Sequence, residues 1–356
     1  MISVIMPTFN KAAYLNLTLA SFARQTSKDY EIVLIDDGSV DSTPAIAEKY
    51  KNKLNLIYLK QDNLGRSAAR NKGIAASSGE YLLFNDDDRI VQGDFVDRHQ
   101  KALLGESNTV HIGGKGRILT IWCRNQLILQ GKDRRKLEER LGDRWHRIRK
   151  TAYAELASAE EVETNFKPTI DRLYLGKEFE SDHVLGVPID QIEDFRLKWM
   201  LGTTANLSVS KDAVIEAGMF DTEFKGWGME DSELCYRLDR NGLELKEYPE
   251  ALNYHQIHPI GRKFWMNSTM SASRMNELKR NIEYFYEKFR TPSSYIFRRT
   301  FYDNIPTLIV NEILIQFEGA LGESDTVEEW DSLYRRIMRD RRNQSIRAKL
   351  GFRSKG

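Results

Sequence analysis

The stretch GEYLLFNDDDRI, residues 79–90, joins an apolar run to three consecutive carboxylates. Tyr81 to Phe84 has the length and composition of a buried strand. Asp86, Asp87 and Asp88 follow this run, and adjacent carboxylates repel one another and resist removal from water. A cation, or exposure to solvent, must therefore compensate these three charges where the strand ends.

The chain around this stretch alternates between strand and helix patterns. Apolar runs predict strands, and helical spacing or small residues predict helices, in this order: strand 2–6, helix 12–25, strand 31–35, helix 43–52, strand 54–59, helix 65–79 and strand 81–84. This alternation favours right-handed crossovers and an α/β fold with a mostly parallel central sheet. Ligands of such sheets bind beyond the carboxyl ends of the strands, where three polar loops occur here: 7–10, 36–39 and 86–88.

Composition excludes several classes of protein. The 356 residues are 41% hydrophobic and 29% charged, which is typical of a globular protein with a sizeable core. The formal net charge of +1 argues against a nucleic-acid binder. Cys123 and Cys235 form neither a disulfide framework nor a zinc pattern. The N-terminus does not have the pattern of a signal peptide and no run is long enough to span a bilayer, so we expect a cytoplasmic protein, with peripheral membrane contact left open.

The two aspartate clusters suggest a metal and a nucleotide. Asp86 and Asp88 suit a hard divalent cation, Mg²⁺ or Mn²⁺, which can bridge to phosphate oxygens. Asp36 and Asp37 follow another strand of the same sheet, where a carboxylate can accept from a base or a ribose hydroxyl. Each cluster also has a simpler interpretation: a solvated acidic loop for the first, and a turn that leads into a capped helix for the second.

Two arginines and two histidines are further candidates for the same site. Arg66 and Arg70 lie one helical turn apart, so they can face a diphosphate together, pair with the aspartates or simply belong to a surface helix. His255 and His258 are close enough for one of them to complete a metal site, although a single histidine is more often structural.

The segment FKGWGMEDSELCYRL places two acids at the start of a predicted helix. The helix dipole there stabilises ionised carboxylates such as those of Glu230 and Asp231, and an ionised Asp beside a sugar can act as a general base. Trp227, which two glycines flank, can present its ring to a sugar face. The alternative is that both acids only favour the helix start.

Five motifs in this order resemble family-2 glycosyltransferases of the GT-A fold: VIMPTFNKAAYL, EIVLIDDGSVDST, NLGRSAARNKG, GEYLLFNDDD and GWGMEDSELCYRL. The resemblance covers about residues 1–105 and 200–258 and is strongest for the branch with a W-G-x-E-D-x-E element. It implies inverting transfer of a sugar from a nucleotide sugar, usually a UDP-sugar, to an acceptor hydroxyl.

The resemblance also implies a role for each matched residue. The D-x-D metal pair is Asp86 and Asp88, for Mn²⁺ or Mg²⁺, with His255 as the best match for a later ligand and His258 as the second choice. Asp231 matches the catalytic base, and Glu230 matches the acid that holds the acceptor. Trp227, Gly228 and Glu230 form the acceptor site. The donor site consists of Pro7, Thr8, Asn10, Asp36, Asp37, Arg66, Arg70, Asp86 and Asp87.

Four regions follow from the extent of the resemblance. We expect a nucleotide-sugar-binding half over 1–108, an inserted acceptor subdomain over 109–199, an acceptor and catalytic-base half over 200–260, and a helical region with a basic tail over 261–356. The C-terminal helices are candidates for homo-oligomer contacts. The tail from Arg335 onward suits an anionic membrane, solvent, or packing against an acidic patch of a second subunit.

The sequence departs from the family pattern at two positions, and two other functional classes are alternatives. Asn85 replaces the usual apolar residue before the D-x-D pair, and Arg89 replaces a frequent fourth acid, which bears on metal affinity or donor preference. A pyrophosphorylase would carry a glycine-rich phosphate loop, which PTFNKAAYL does not contain. A non-catalytic nucleotide-sugar-binding or scaffolding protein on the same fold is the second alternative, and the intact Asp86, Asp88 and Asp231 argue against it.

Overall fold

A computed structural model describes most of the chain. The described residues are 1–106, 108–124, 126–127, 129, 131–178, 195–258, 272–303, 305, 307–321 and 326–349. The chain divides into two compact units. The first comprises Met1–Ser181 and Lys198–Asn281, and the second comprises Asp182–Leu197 and Ile282–Gly356.

The first unit begins with the alternation that the sequence predicts. Its elements are β1 (Ile2–Thr8), α1 (Ala12–Phe22), β2 (Tyr30–Asp36), α2 (Thr43–Tyr50), β3 (Leu56–Lys60), α3 (Arg66–Ala76) and β4 (Tyr81–Asn85). The strands pair in the order β3-β2-β1-β4, and all three pairings are parallel. The α/β fold with parallel strands is therefore confirmed, and the strand ends differ from the predicted ones by only one or two residues.

The sheet continues beyond β4 with strands of both directions. These elements are β5 (Arg89–Val91), α4 (Phe95–Gly105), β6 (Thr109–Ile118), β9 (Tyr174–Lys177), β10 (Asn206–Ser210), α9 (Lys211–Glu216), α10 (Glu230–Arg240) and β11 (Glu244–Gln256). The order runs on as β4-β10-β6-β11-β5, with β9 beside β6. β10, β5 and β9 join antiparallel, whereas β11 lies parallel to β6. The last strand thus brings its end, and the loop after it, next to β5.

Residues 121–173 form a small layer of short elements. They are β7 (Ile121–Cys123), α5 (Gly131–Leu141), α6 (Asp143–Ile148), β8 (Tyr153–Glu155), α7 (Ala159–Thr164) and α8 (Phe166–Leu173). The sequence does not indicate the last two of these helices. α7 and α8 have six and eight residues, too few for a clear periodic pattern, although Ser158 and Glu161 do form a capping box.

The position of α3 depends on a glycine. A Cβ atom at Gly73 would lie 2.5 Å from Ile35 Cδ1 and 2.9 Å from Ile5 Cγ2, so only glycine lets the helix pack this closely on β1 and β2. Arg70 lies almost one turn before Gly73 and is itself buried. Close packing of α3 therefore places the Arg70 guanidinium at the carboxyl edge of the sheet.

The C-terminal part is helical, as the sequence predicts. Its helices are α11 (Ala272–Phe289), α12 (Pro292–Tyr302), α13 (Thr307–Ala320) and α14 (Val327–Lys349). In the second unit the ring of Tyr295 stacks on Phe317 at 5.6 Å and meets Trp330 edge-on at 5.5 Å. None of the helices in the described ranges is long and apolar enough to cross a bilayer. The end of the predicted basic tail, residues 350–356, lies outside the described residues.

The four predicted regions stay a prediction. The segment 109–199 contributes β6 and β9 to the central sheet itself, besides the small layer of short elements.

Candidate active site

The carboxyl ends of β1, β2 and β4 lie at one edge of the sheet. Thr8 pairs with Asp36 at the ends of β1 and β2, and Ile5 pairs with Phe84 near the end of β4. Parallel register therefore brings the loops after these three strands together. These are the three polar loops that the sequence indicates.

The Asp36–Asp37 pair is surrounded by neutral donors. Asp36 is fully buried, and its carboxylate accepts from the Ser39 N–H at 2.7 Å and the Tyr58 hydroxyl at 2.6 Å. Asp37 accepts from Gln61 Nε2 at 2.7 Å and from the N–H groups of Leu64 and Gly65 at 2.9 and 3.0 Å. These bonds fix the loop after β2 and the loop that leads into α3.

The predicted donor residues after β1 are partly tied to the same loop. Asn10 has a left-handed backbone, with φ of 53°. Its N–H donates to Ser39 Oγ at 2.9 Å, and its side-chain oxygen accepts from the Val40 N–H at 2.9 Å. Thr8 is buried, and its hydroxyl favours the ionised form of the neighbouring Asp87. Contact of these residues, of Pro7 and of the Asp36–Asp37 pair with a nucleotide stays a prediction.

Asp88 lies among cationic and imidazole groups. Its Oδ2 accepts from Lys11 Nζ at 2.5 Å and from His258 Nε2 at 2.9 Å, and it lies 3.8 Å from His255 Nε2. One ligand atom each from Asp88, His255 and His258 lies within 4.8 Å of the others. Although burial opposes ionisation, Lys11 and the two imidazoles hold the pKa of Asp88 well below its usual range.

Asp87 takes a different position from its neighbours. It is buried, and its Oδ1 lies 3.4 Å from Lys11 Nζ. Burial raises the pKa of Asp87 to about 6, against the attraction of Lys11, and the charges of Asp88 and Asp86 raise it further. Lys11 therefore supplies much of the charge compensation that the three adjacent carboxylates require.

Asp86 is the member of the cluster that faces the other catalytic candidates. Its Oδ1 lies 3.7 Å from Arg70 NH2, and its Oδ2 lies 3.9 Å from Arg89 Nε. The same Arg70 guanidinium lies 3.2 Å from Asp231 Oδ1 and 3.4 Å from Glu230 Oε1. The structure thus connects the loop after β4 with the start of α10 through one buried arginine.

Glu230 and Asp231 open α10 with different surroundings. Glu230 is buried and also lies 3.3 Å from Arg66 NH1. Asp231 accepts from the Thr204 N–H at 3.2 Å and from the Thr204 hydroxyl at 2.9 Å. Burial raises the pKa of Asp231 to about 6 against the pull of Arg70, and Glu230 and Asp86 raise it further. A carboxyl group with this pKa is suited to exchange protons near neutral pH.

The loop before α10 has a constrained backbone. Gly226, Gly228 and Met229 have φ of 76°, 95° and 77°, a region that favours glycine. The Trp227 N–H donates to Glu277 Oε2 at 3.0 Å, and Asn281 Nδ2 donates to the Gly228 carbonyl at 2.8 Å. Trp227 is half-buried. Two side chains of α11 therefore hold the predicted acceptor loop.

The two departures from the family pattern meet at Asn253 on β11. Asn253 Nδ2 donates to Asn85 Oδ1 at 2.9 Å, and Asn253 Oδ1 accepts from Arg89 NH1 at 3.3 Å. Arg89 also forms a two-pronged ion pair with Glu178, at 2.7 and 3.0 Å, and Glu178 Oε1 accepts from His255 Nδ1 at 3.0 Å. Asn85 and Arg89 thus belong to one network that reaches a candidate metal ligand.

The residues present fit a divalent cation. Asp88, His255 and His258 offer one carboxylate oxygen and two imidazole nitrogens within a short distance, which is a usual protein ligand set. Glu178 bonds the ring nitrogen of His255 that faces away from Asp88, a common arrangement for metal-bound histidine. Asp86, the other half of the D-x-D pair, faces Arg70 and Arg89, and its predicted role as a ligand stays a prediction.

Several residues of the site escape sequence reasoning. Lys11 directly follows the first of the three edge loops, so its position was a signal that a charged residue there could join the site. Thr204 and Asn253 are ordinary polar residues in strand or loop patterns. Glu178 follows a four-residue strand in a segment without motifs and gives no local signal.

Sequence models of known families match both halves of the site. Residues 3–147 match the family described as glycosyl transferase family 2. Residues 193–260 match the model described as the N-terminal domain of galactosyltransferase. The first match includes the edge loops of β1, β2 and β4, and the second includes the Trp227 loop, the start of α10 and both histidines.

Individual relatives are similar over much of the chain. An uncharacterised glycosyltransferase, YfnE, of Bacillus subtilis is 24% identical over 90% of this chain and 78% of its own length. A chondroitin synthase of Escherichia coli is 27% identical over 81% of this chain. A validoxylamine A glucosyltransferase of Streptomyces hygroscopicus is 30% identical over 72% of this chain. The chain spans only 39% and 56% of the last two proteins.

Solved structures share the fold. TarS of S. aureus superposes with a TM-score of 0.52 at 16% identity, covering 86% of this chain and 44% of TarS. Its 1–349 fragment in complex with UDP-GlcNAc gives a TM-score of 0.51 at 17% identity, covering 86% of this chain and 74% of the fragment. With the two family matches and the glycosyltransferases among its relatives, the chain is a glycosyltransferase whose residues 3–147 belong to family 2, and it has the GT-A fold that its motifs predict.

Proposed function

We propose that this glycosyltransferase is a metal-dependent, inverting enzyme that moves a sugar from a UDP-linked donor to an acceptor hydroxyl. The observation that carries the proposal is the shared position of Arg70. Its guanidinium lies 3.7 Å from Asp86 in the donor loop and 3.2 Å from Asp231 at the start of α10. A diphosphate group and a catalytic base would therefore lie on either side of one buried cation.

Arg70 also keeps a donor for the diphosphate. Its Nε is buried and has no hydrogen-bond partner among the residues that the structure describes. A buried N–H without an acceptor is costly, and a phosphate oxygen would satisfy it. Arg66 lies one turn earlier on α3 and is partly exposed, so it can reach the same anion.

Asp231 is the proposed base. Its carboxylate takes the proton of the acceptor hydroxyl while the hydroxyl oxygen bonds to the anomeric carbon and the bond to the diphosphate oxygen breaks. A single displacement from the opposite face inverts the anomeric centre. Thr204 fixes both oxygens of Asp231, and this holds the base in one orientation. Glu230 and the Trp227 loop, next to this carboxylate, are the proposed acceptor contacts.

Asp88, His255 and His258 would hold the metal ion, and Asp86 is the further carboxylate that the D-x-D motif offers. A divalent cation there supplies positive charge that stabilises the departing diphosphate. Two imidazole nitrogens in the set favour Mn²⁺ over Mg²⁺, because Mg²⁺ prefers oxygen ligands in octahedral geometry.

The proposal of a UDP-linked donor rests on the likeness to other proteins and on the polar loops at the sheet edge. TarS, which shares the fold, has been solved in complex with UDP-GlcNAc. The relatives that synthesise chondroitin or glucosylate validoxylamine A suggest hexose derivatives as the transferred group. Thr8, Asn10 and Asp37 line the edge where a uridine would bind in this proposal.

The test is turnover of a panel of UDP-, GDP- and dTDP-sugars with Mn²⁺, Mg²⁺ or EDTA, followed as nucleotide release and by mass spectrometry. We expect a UDP-sugar to be hydrolysed slowly without acceptor, in the presence of Mn²⁺, and not in EDTA. Full turnover in EDTA would contradict metal dependence. A product that retains the donor's anomeric configuration would contradict single displacement. Binding of UDP-sugars without turnover, with any acceptor offered, would instead favour a non-catalytic binding protein.

A further inference from the structure

Glu178 connects two features that the proposed reaction leaves unexplained: Arg89 in place of an acid, and the orientation of His255. We propose that Glu178 is a positioning residue that holds His255 ready for the divalent cation and that Arg89 holds Glu178 in turn. This inference rests on the proposed function only in taking Asp88, His255 and His258 as the metal ligands.

The orientation of the His255 ring follows from its two neighbours. Its Nδ1 lies 3.0 Å from Glu178 Oε1, and its Nε2 lies 3.8 Å from Asp88 Oδ2. A carboxylate can only accept a hydrogen bond, so Nδ1 carries the proton of a neutral ring. The lone pair is then on Nε2, which faces Asp88, where a metal ion would need it.

Glu178 is held in place from the opposite side. Arg89 NH1 and NH2 donate to Glu178 Oε2 and Oε1 at 2.7 and 3.0 Å, a paired geometry that fixes the plane of the carboxylate. Arg89 is buried and donates as well to Asn253 Oδ1 on β11 at 3.3 Å. Both oxygens of Glu178 thus accept from Arg89, and Oε1 also faces the His255 ring.

The backbone supports the same arrangement. The Glu178 N–H donates to the Lys115 carbonyl on β6 at 2.9 Å, just beyond the end of β9. His255 pairs with Arg89 across β11 and β5 and with Arg117 across β11 and β6. Backbone pairing therefore fixes Glu178, Arg89 and His255 relative to one another.

The test is the affinity of the whole chain for Mn²⁺ in the presence of UDP, measured from the electron paramagnetic resonance signal of free Mn²⁺. We expect Glu178→Gln to weaken Mn²⁺ binding about 10- to 100-fold, because the amide can present an N–H to the ring and loses the charge that Arg89 holds. Affinity for UDP in EDTA should not change, whereas a general loss of structure would weaken it.

A matched control and a conservative variant complete the test. Glu163→Gln makes the same chemical change in a surface ion pair with Lys53 and should leave Mn²⁺ affinity as in the wild type. Glu178→Asp keeps the charge on a shorter side chain, so we expect an intermediate loss. A loss of UDP affinity in EDTA by Glu178→Gln would indicate general loss of structure. In that case Glu178→Asp tests whether Glu178 positions His255, and wild-type Mn²⁺ affinity in Glu178→Asp would overturn the inference.

The outcomes separate this inference from the proposed function. Loss of Mn²⁺ binding in His255→Ala together with wild-type binding in Glu178→Gln would overturn the role of Glu178 and leave the metal-dependent transferase intact. Absence of Mn²⁺ binding by the wild-type protein with UDP would overturn both.

Discussion

Two groups of carboxylates lie at the same edge of the sheet, and they differ in their partners. In the loop after β2, Asp36 and Asp37 accept hydrogen bonds from backbone N–H groups, a tyrosine and a glutamine. After β4 and at the start of α10, the carboxylates face cations and imidazoles instead, as Asp88 with Lys11 and Asp231 with Arg70 do. The first arrangement holds a loop, and the second keeps charge where an anion or a metal ion can exchange with it.

The comparison predicts its largest effect at Asp88. Asp88→Asn removes the charge that the metal site depends on, so we expect turnover to fall by roughly 10³-fold, corresponding to several kcal/mol of lost stabilisation. Mn²⁺ binding should fall with it. The measurement is steady-state UDP release at saturating donor.

The matched control for this change is Asp41→Asn. Asp41 caps the start of α1 through the Ala12 N–H at 3.0 Å and also bonds Thr43. Equal losses of turnover in the two variants would mean that the cationic partners of Asp88 do not distinguish it from a loop carboxylate.

The next effect concerns Asp231, which shares Arg70 with Asp86. Asp231→Asn keeps the shape of the side chain and removes the base, so turnover should fall by roughly 10²-fold. Affinity for UDP, measured by calorimetry on the same sample, should be retained. Near-normal turnover would move the base elsewhere, with Glu230 the next candidate.

The pH dependence of the reaction sharpens the comparison further. The base must be ionised to accept a proton, and the pKa of Asp231 is raised to about 6, so kcat should fall about tenfold per pH unit below that value and level off above it. Arg70, Glu230, Asp86, Thr204 and Lys115 are the polar and charged groups that act on or beside this carboxyl group. A flat kcat between pH 5 and 8, measured at saturating donor and metal, would contradict the assignment.

The smallest effect on activity is expected at Asp36. Asp36→Asn weakens the bonds from Ser39 and Tyr58, so the free energy of unfolding should fall by about 1–3 kcal/mol. Affinity for Mn²⁺ should stay close to that of the wild type. Denaturant unfolding measures the change in stability, and calorimetry measures the change in ligand affinity. A loss of UDP affinity at unchanged stability would instead support the nucleotide contact that the family resemblance implies.

The first half of the fold could be predicted from sequence because its signals are local. β1, β2 and β4 are short apolar runs that end in polar loops, and parallel register brings those loops together. The antiparallel entry of β10 and the return of β11 to β5 depend on pairings across more than a hundred residues, which no local pattern records.

The residues of the candidate site likewise differ in whether a local sequence signal indicates them. His255 and His258 could be proposed because they follow a motif, and both lie beside Asp88. Glu178 could not, because its partners Arg89 and His255 lie far away in the sequence and a single glutamate after a short strand is a common occurrence. Asn85 departs from the family pattern, and its partner Asn253 lies on a strand that no local signal connects with it.

Lys11 has a practical consequence for anyone who screens ligands of this enzyme. Its ammonium group already neutralises Asp87 and Asp88, and although burial alone would lower the pKa of Lys11, these carboxylates raise it, so the lysine stays charged. In the proposed metal site, a divalent ion that takes Asp88 would replace one cation with another, so metal uptake would be an ion exchange. A shift in melting temperature and a direct titration would then both report the same net affinity, which is lower than that of the same ligands without the lysine.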